Sequence, residues 1–492
     1  MKRFFCLFKR ILLLWLLYFF VCMVVPPLFH KPSLPNSTEE SASLGAAAEL
    51  QKGAFPDIAA DEKAQERVRS IDDNTEALLW RLRLIETAQE RVVLTTFDLR
   101  DDNSGRDVMA ALFHSAQRGV KVQVLVDGMN GVLRLTGSDC FRELSSQENV
   151  EIKLYNPITL LAPWKNNYRM HDKYVIADDF AYLLGGRNTD DLFLGSYVDS
   201  YNEDRDILVY EEMPGAGNSF IQLEEYFDQI WNLPCCKTYK KMAAGPAYLE
   251  EHYQEVRKKY PQAFAGTDSG EAESGTDGGP DSDGFDWEAA TLETQGVELC
   301  TNPINPGNKH PVLWDRLVEE MKQEEDILIQ TPYIICDKKM YQDLTELCAD
   351  GARTEIIINA VESGTNPFGC TDYLNQKKKV RGTGVQTYEY LGNQALHTKT
   401  VLAGERISIV GSCNLDMRSI YLDTEMMLRI DSRELNAQLR EQAETMKDRC
   451  RSVSPEGVVT EGENYQAREQ SAGKKIIYGI LRAVIIPFRH LL

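Results

Sequence analysis

His171 and His397 open the same short pattern of residues, and that pattern holds the groups a phosphoryl transfer needs. The first copy runs His171-Asp172-Lys173, an apolar stretch from Tyr174 to Ala177, a turn at Asp178-Asp179, a second apolar stretch from Ala181 to Leu184, then Gly185-Gly186-Arg187-Asn188. The second runs His397-Thr398-Lys399, Thr400 to Leu402, a turn at Ala403-Gly404-Glu405, Ile407 to Val410, then Gly411-Ser412-Cys413-Asn414. Seven histidines and 54 Lys+Arg among 492 residues supply close to one His-x-Lys/Arg triplet by chance, so the triplet alone carries no weight. The shared offsets carry it. In both copies a Gly stands 14 residues after the His and an Asn 17 after it, with Asp190 and Asp416 both at 19.

On a strand, residues i and i+2 point to the same face. His171 and Lys173 are therefore expected to project together, as are His397 and Lys399. With Asn188 and Asn414 they bring two imidazoles, two ammonium groups and two carboxamides to one phosphodiester. A neutral imidazole can attack phosphorus while a protonated one gives its proton to the leaving oxygen, and the roles reverse for the acceptor. Lysine and asparagine donors offset charge on the non-bridging oxygens, the task a metal performs elsewhere. Asp206 and Glu425, 35 and 28 residues after His171 and His397, are expected to hold the Nδ1–H of each and fix its tautomer. Gly186 and Ser412 are placed beside the substrate. No metal or cofactor is expected. The eleven cysteines form no CxxC pair and no Cys/His spacing suited to zinc, and read as buried thiols.

The elements that must position these groups also come in two sets. Ala77 to Gln89 reads as a helix, Val92 to Thr96 as a strand, Arg106 to Arg118 as a helix and Lys121 to Val126 as a strand. Trp314 to Gln323, Ile327 to Thr331, Lys339 to Ala349 and Glu355 to Ile358 repeat that order. Each is a βαβ unit, which implies parallel strands under a covering helix. The expected fold is α/β, with two pseudo-duplicated halves whose mixed, largely parallel sheets pack together around one shared cleft. The halves are placed at 71–240 and 296–455. Between them, 241–295 is an acidic insert containing GTDSGEAESGTDGGPDSDGFD (266–286), a composition that cannot bury a core.

The ends suggest lipid. Four basic residues precede fifteen apolar ones, Ile11 to Val25, closed by Pro26-Pro27. Residues 1–30 are expected to be a single uncleaved membrane anchor, with 31–70 as a tether; a cleaved signal peptide, which has the same basic-then-apolar order, is the alternative. The positive-inside bias then places the catalytic part outside the cytoplasm. In the tail, 456–492, no residue from Lys474 onward is acidic, and Ile476, Ile477, Ile480, Leu481, Val484, Ile485 and Phe488 recur at helical spacing. That is the pattern of an amphipathic helix in a membrane interface; the plainer alternative is a terminal helix packed on the core. The formal net charge of -21 argues against long nucleic acid, whose binding draws on a basic face. A phospholipid and a membrane surface are the expected partners, and no protein partner is evident.

In His171, Lys173 and Asp178 followed by GGRN, and in His397 and Lys399, the sequence resembles the phospholipase D superfamily, whose HxKx4D signature occurs twice per site. Asn167-Tyr168-Arg169 and GSCNLDMRS (411–419) look like bacterial cardiolipin synthases. The resemblance spans about residues 75 to 450. It implies phosphatidyl transfer without a metal, through a phosphohistidine on the N-terminal histidine, to phosphatidylglycerol or another alcohol. It also implies that Asp178 supports the turn; Gly404 stands where the second copy has lost that Asp. The competing reading is a hydrolytic phospholipase D or phosphodiesterase, and the choice depends on whether the cleft excludes water.

Overall fold

The computed structural model describes residues 2–29, 66–241, 248–264 and 285–492, with side chains of the first helix described from 9 to 25. The expected tether and the Gly/Ser/Asp/Glu-rich run lie almost wholly outside these residues. The first half contains β1 (Glu66–Ile71), β2 (Arg91–Thr96), β3 (Lys121–Asp127), β4 (Val150–Tyr155), β5 (Tyr174–Ala177), β6 (Ala181–Gly185), β7 (Asn202–Glu203), β8 (Asp206–Glu211), β9 (Cys236–Tyr239) and β10 (Leu292–Glu293). The second contains β11 (Gly296–Thr301), β12 (Asp326–Gln330), β13 (Arg353–Asn359), β14 (Gln386–Tyr390), β15 (Ala395–Leu396), β16 (Thr400–Ala403), β17 (Ile407–Gly411), β18 (Met426–Asp431), β19 (Cys450–Val453) and β20 (Val459–Glu461). The principal helices are α1 (Lys2–Phe29), α2 (Asn74–Thr87), α3 (Asn103–Gln117), α4 (Asn218–Trp231), α5 (Val312–Met321), α6 (Lys338–Ala349), α7 (Pro367–Gly382), α8 (Arg433–Lys447) and α9 (Ala472–Val484).

Two nine-stranded mixed sheets result, in the orders β10-β1-β8-β6-β5-β2-β3-β4-β9 and β11-β18-β17-β16-β12-β13-β14-β19-β20. Within these two sheets parallel pairing is confined to β2-β3-β4 and β12-β13-β14, the βαβ cores; the flanking pairs are antiparallel. Strands such as Lys121–Asp127 are buried on both faces and therefore read as nearly continuous apolar runs. The sheets meet face to face. Val93, Ile176, Leu184 and Val209 of the first share one core with Leu328, Leu402, Val410 and Leu428 of the second, flanked by apolar residues of α4 and α8. On the outer faces α2 and α3 cover the first sheet, while α5, α6 and α7 cover the second. Aspartates cap several of these helices: Asp73 accepts from the N–H groups of Thr75 and Glu76, and Asp102 from that of Gly105. Cys140, Cys300, Cys336, Cys370, Cys413 and Cys450 are buried free thiols.

Three expectations change. The segment 241–295 is only partly a linker. The helix Leu249–Lys259 packs Leu249, Tyr253 and Val256 into the first half's core, as does Trp287, and β10 extends the first sheet. The first sheet also begins earlier than 71, because β1 starts at Glu66.

The membrane-spanning anchor is the third correction. Fifteen apolar residues fall short of the ~20 that cross a bilayer, and among the described residues no helix is long and apolar enough to do so. Instead the far end of α1 lies against protein. The carbonyl of Met23 accepts from Asn167 Nδ2 at 2.6 Å, that of Val24 pairs with His490 Nε2 at 3.1 Å, and Phe20 meets Phe488 edge to face at 5.7 Å. The extracytoplasmic placement rested on that span and is left without its support. The tail helix α9 combines both alternatives. It packs Tyr478 and Leu481 on the second half while Ile476, Ile477, Ile480 and Val484 remain exposed on another face.

Candidate active site

The two motif copies meet across the joint between the halves, and each is held by the other half. The backbone N–H of His171 donates to the carbonyl of Thr424 at 3.3 Å, and that of His397 to the carbonyl of Glu203 at 2.7 Å. β7 and β15 pair in parallel beside this crossing. Arg205 fastens it further, donating across the joint to Gln330 Oε1 at 3.0 Å and Thr400 Oγ1 at 2.9 Å.

Each His and Lys sits in the extended residues just ahead of its strand, not on the strand itself. Lys173 Nζ turns back to donate to the carbonyl of His171, and Lys399 Nζ to that of His397. Both ammonium groups are buried, whereas the imidazoles keep 13% and 21% of their surface open. Phe97 stands edge-on to His171 at 5.0 Å and Phe193 edge-on to His397 at 4.9 Å, so each ring is fixed by an aromatic wall. The amide oxygens of Asn188 and Asn414 are buried without a hydrogen-bond partner among the described residues. Buried carboxamides normally find partners, and these two stand in the motif that carries the histidines.

The carboxylates are exchanged between the halves. Glu425, expected on His397, meets Nδ1 of His171 at 2.9 Å. The partner of His397 is Asp204, whose Oδ2 lies 2.5 Å from Nδ1. Asp206 serves neither histidine. It is buried in an ion-pair cluster with Arg81 at 2.9 Å and Arg187 at 3.3 Å. Asp204 stands only two residues before Asp206, but they end in different environments because Asp204 lies in the link between β7 and β8, and the strand β8 begins at Asp206. The sheet register supplies the signal that sequence distance lacked. Gly185 lies opposite Asp206 and Gly411 opposite Met427; two residues back from each stands the histidine's carboxylate, Asp204 or Glu425.

Gly186 and Ser412 also change role. Ser412 is fully buried and its hydroxyl donates to Glu425 Oε2 at 2.5 Å, steadying the carboxylate behind His171. At Gly186 a Cβ would come within 2.3 Å of Asp204 Oδ1, so glycine leaves room for the carboxylate behind His397. Both lie against a carboxylate that backs a histidine. Asp178 accepts from the backbone N–H groups of Gln89, Glu90 and Arg91 at 2.7–2.8 Å, fixing the start of β2. Gly404 takes the corresponding turn at φ +57°, where glycine is free of strain, and a Cβ there would meet the Glu324 carboxylate at 2.1 Å. A Glu occupies the space that the missing Asp would enter.

Burial dominates the electrostatics. It pushes His171 well below the usual imidazole range, helped by Lys173 and Lys399, and takes His397 down to about 4, with Lys399 adding to the effect. Both shifts favour the neutral rings. Burial brings Lys173 down to about 7 and Glu425 up to about 8, and lowers Lys399. For Asp204 burial opposes ionisation, but Lys399 and His397 outweigh it and hold the carboxylate well below its usual range. A phosphodiester entering between the two lysines adds the negative charge they lack, which favours their protonated forms and that of an adjacent imidazole. Among the described residues no group of three or more His, Cys, Asp or Glu side chains could hold a metal ion.

A family model described as "Cardiolipin synthase, PLD-like domain" matches residues 82–231 and 317–447, one segment in each half. Cardiolipin synthase C of Escherichia coli (strain K12) is 26% identical over 404 residues, which cover 74% of this chain and 81% of that protein. Cardiolipin synthase B of Salmonella typhi is 27% identical over 361 residues, covering 73% and 74%. Among solved structures, the phosphatidylserine synthase of Haemophilus influenzae Rd KW20 superposes with a TM-score of 0.58 at 15% identity, over 86% of this chain and 95% of that one. That likeness concerns the fold, two α/β halves around one cleft.

Proposed function

Because this chain belongs to the cardiolipin synthase family with phospholipase D-like domains and is a phosphatidyltransferase enzyme, we propose that it transfers a phosphatidyl group through His171 to the hydroxyl of phosphatidylglycerol or another alcohol. The observation that carries the proposal is the crossed pair of imidazoles, each backed by a carboxylate from the opposite half. With the proton shared between Glu425 and His171 held on Nδ1 of the ring, His171 presents the Nε2 lone pair to phosphorus. The P–O bond to the leaving alcohol breaks as the P–N bond forms, and His397 gives the alcohol its proton. The acceptor hydroxyl then surrenders a proton to His397 while its oxygen attacks phosphorus and releases His171. Asp204 stabilises the imidazolium at each stage. Lys173, Lys399, Asn188 and Asn414 donate to the non-bridging oxygens. Incubating the purified protein with phosphatidylglycerol vesicles should yield cardiolipin and free glycerol, and a strong chelator should leave the rate intact. Phosphatidic acid as the sole lipid product would replace transfer by hydrolysis.

Lipid as the substrate is consistent with the exposed apolar surfaces of the two ends. We propose that α9 rests on the bilayer interface through Ile476, Ile477, Ile480 and Val484, with the exposed Lys475 and Arg482 on the same helix beside anionic headgroups. Exposed Ile11 to Leu17 of α1 adds apolar area near the same tail. The double variant Ile476→Asp/Ile480→Asp alters only solvent-facing positions. It should lose at least tenfold in affinity for vesicles containing anionic lipid, as read by co-sedimentation, with an unchanged melting temperature. Unaltered sedimentation would exclude this face.

A further inference from the structure

A cavity of about 250 Å³ opens beside His397. The first half supplies Arg100 and Phe193, and the second supplies Tyr333, Asn366 and Tyr373. His171 is not among its walls, so the cavity serves one side of the reaction centre only. Although the chain carries a net charge of -21, none of the residues forming these walls is acidic. Arg100 is anchored from behind: Asp98 Oδ2 takes Nε at 2.9 Å and Nη2 at 2.8 Å, and Asp190 lies 3.4 Å from Nε. Arg134 shares Asp98 at 3.2 Å. Two guanidinium groups thus face two carboxylates, one of which, Asp190, burial pushes up to about 7. The Nη1 edge of Arg100 makes no hydrogen bond among the described residues, and 29% of its side chain is exposed. On the opposite wall α7 begins. Asn366 caps it by accepting from the N–H groups of Phe368 and Gly369. The positive end of a sixteen-residue helix therefore faces the same space as the arginine. Gly369 makes the approach possible, since a Cβ there would stand 2.8 Å from the Tyr333 ring.

We infer that this cavity is the headgroup site of the acceptor alcohol, and that Arg100 recognises a phosphate carried by the acceptor itself. The inference rests on the proposed role of His397 as the base for the acceptor. The hydroxyl that yields its proton to His397 must approach from the side His397 shares with the cavity. There its oxygen forms the new P–O bond, the P–N bond to His171 breaks, and the proton passes to His397 Nε2. An acceptor with a phosphate a few bonds from that hydroxyl, as in a glycerol phosphate, brings charge to Arg100 and the start of α7 while its remaining oxygens meet the neutral polar walls. Water and uncharged alcohols lack that anchor. A cavity of this size takes a headgroup and leaves acyl chains outside.

The test is a competition between glycerol 3-phosphate and glycerol, both isotopically labelled and at equal concentration, with phosphatidylglycerol vesicles as the phosphatidyl donor. The full-length protein should favour the phosphorylated acceptor. Arg100→Gln should reduce that preference at least tenfold, and Arg100→Lys should retain part of it. Because Arg100 also pairs with Asp98 and Asp190, a second variant guards against a folding effect. Thr365 is exposed in the cavity wall, and Thr365→Glu places a carboxylate there without touching the ion pairs. It too should cut the preference about tenfold. No preference in the unaltered protein, or one that both Arg100→Gln and Thr365→Glu leave in place, overturns the inference. Trapping the unaltered protein with donor alone separates the two failures. A phosphatidyl adduct on His171 alongside an unmoved acceptor preference refutes the headgroup site only, whereas no adduct refutes the reaction on which it rests.

Discussion

The His171→Ala protein should show neither covalent modification nor turnover, while His397→Ala should still be modified yet turn over about 10²–10⁴-fold more slowly. The difference comes from the role the proposed transfer gives each ring's Nε2. In that proposal His171, backed by Glu425 at 2.9 Å, presents a lone pair to phosphorus. His397, backed by Asp204 at 2.5 Å, is proposed to move the proton of the leaving and the incoming alcohol. A substrate whose leaving group needs no proton, such as a nitrophenyl phosphodiester, bypasses the first of these tasks but not the second. With such a substrate the His397→Ala protein should release one equivalent of nitrophenol in a burst and then stall, and peptide mapping should find the adduct on residue 171. An adduct on residue 397 in the His171→Ala protein would reverse the roles. The absence of an adduct from both proteins would indicate a single direct displacement.

Exchanging Asp204 for asparagine should cost about as much activity as losing an acid–base group, ~10²–10⁴-fold in kcat, with little loss of stability. Asp206→Asn, two residues away, should do the reverse. Asp204 lies against His397 and sets its tautomer; asparagine fills the same space but can hold the wrong tautomer and cannot stabilise an imidazolium. Asp206 is enclosed by Arg81 and Arg187, both buried, and removing its charge deprives two buried guanidinium groups of the carboxylate they share. Breaking such a pair costs about 3–5 kcal/mol, which should appear as a sharply lowered melting temperature or as insoluble protein. Steady-state kinetics and thermal unfolding on the two variants, side by side, check both statements. A stable, inactive Asp206→Asn protein together with a fully active Asp204→Asn protein would restore the pairing suggested by sequence distance.

Much of the fold was legible because its signals are local. The strands at Arg91–Thr96 and Asp326–Gln330 and the helices that follow them carry their periodicity and their capping aspartates within a few residues. The repeated offsets from His to Asn were equally plain, since both ends of the motif sit on one β-hairpin whose length is fixed by its turn. The insert misled for a related reason. Its composition is dominated by the Gly/Ser/Asp/Glu run, which masks the amphipathic pattern of Leu249, Tyr253 and Val256 beside it. The apolar N-terminal run gave a composition but no indication that Met23 and Val24 would lie against Asn167 and His490.

By itself, the sequence determined which residue types the candidate site gathers and that they come in two equivalent sets, because a strand-turn-strand motif encodes its own geometry. Tertiary structure alone decided which carboxylate serves which histidine. Asp204 reaches His397, and Glu425 reaches His171, only after the two halves have docked and their strands have crossed. Sequence distance measures the path along the chain, whereas a hydrogen bond depends on which surfaces burial has brought together. Register within the sheet, and the face-to-face packing of two sheets made of similar residues, set that choice.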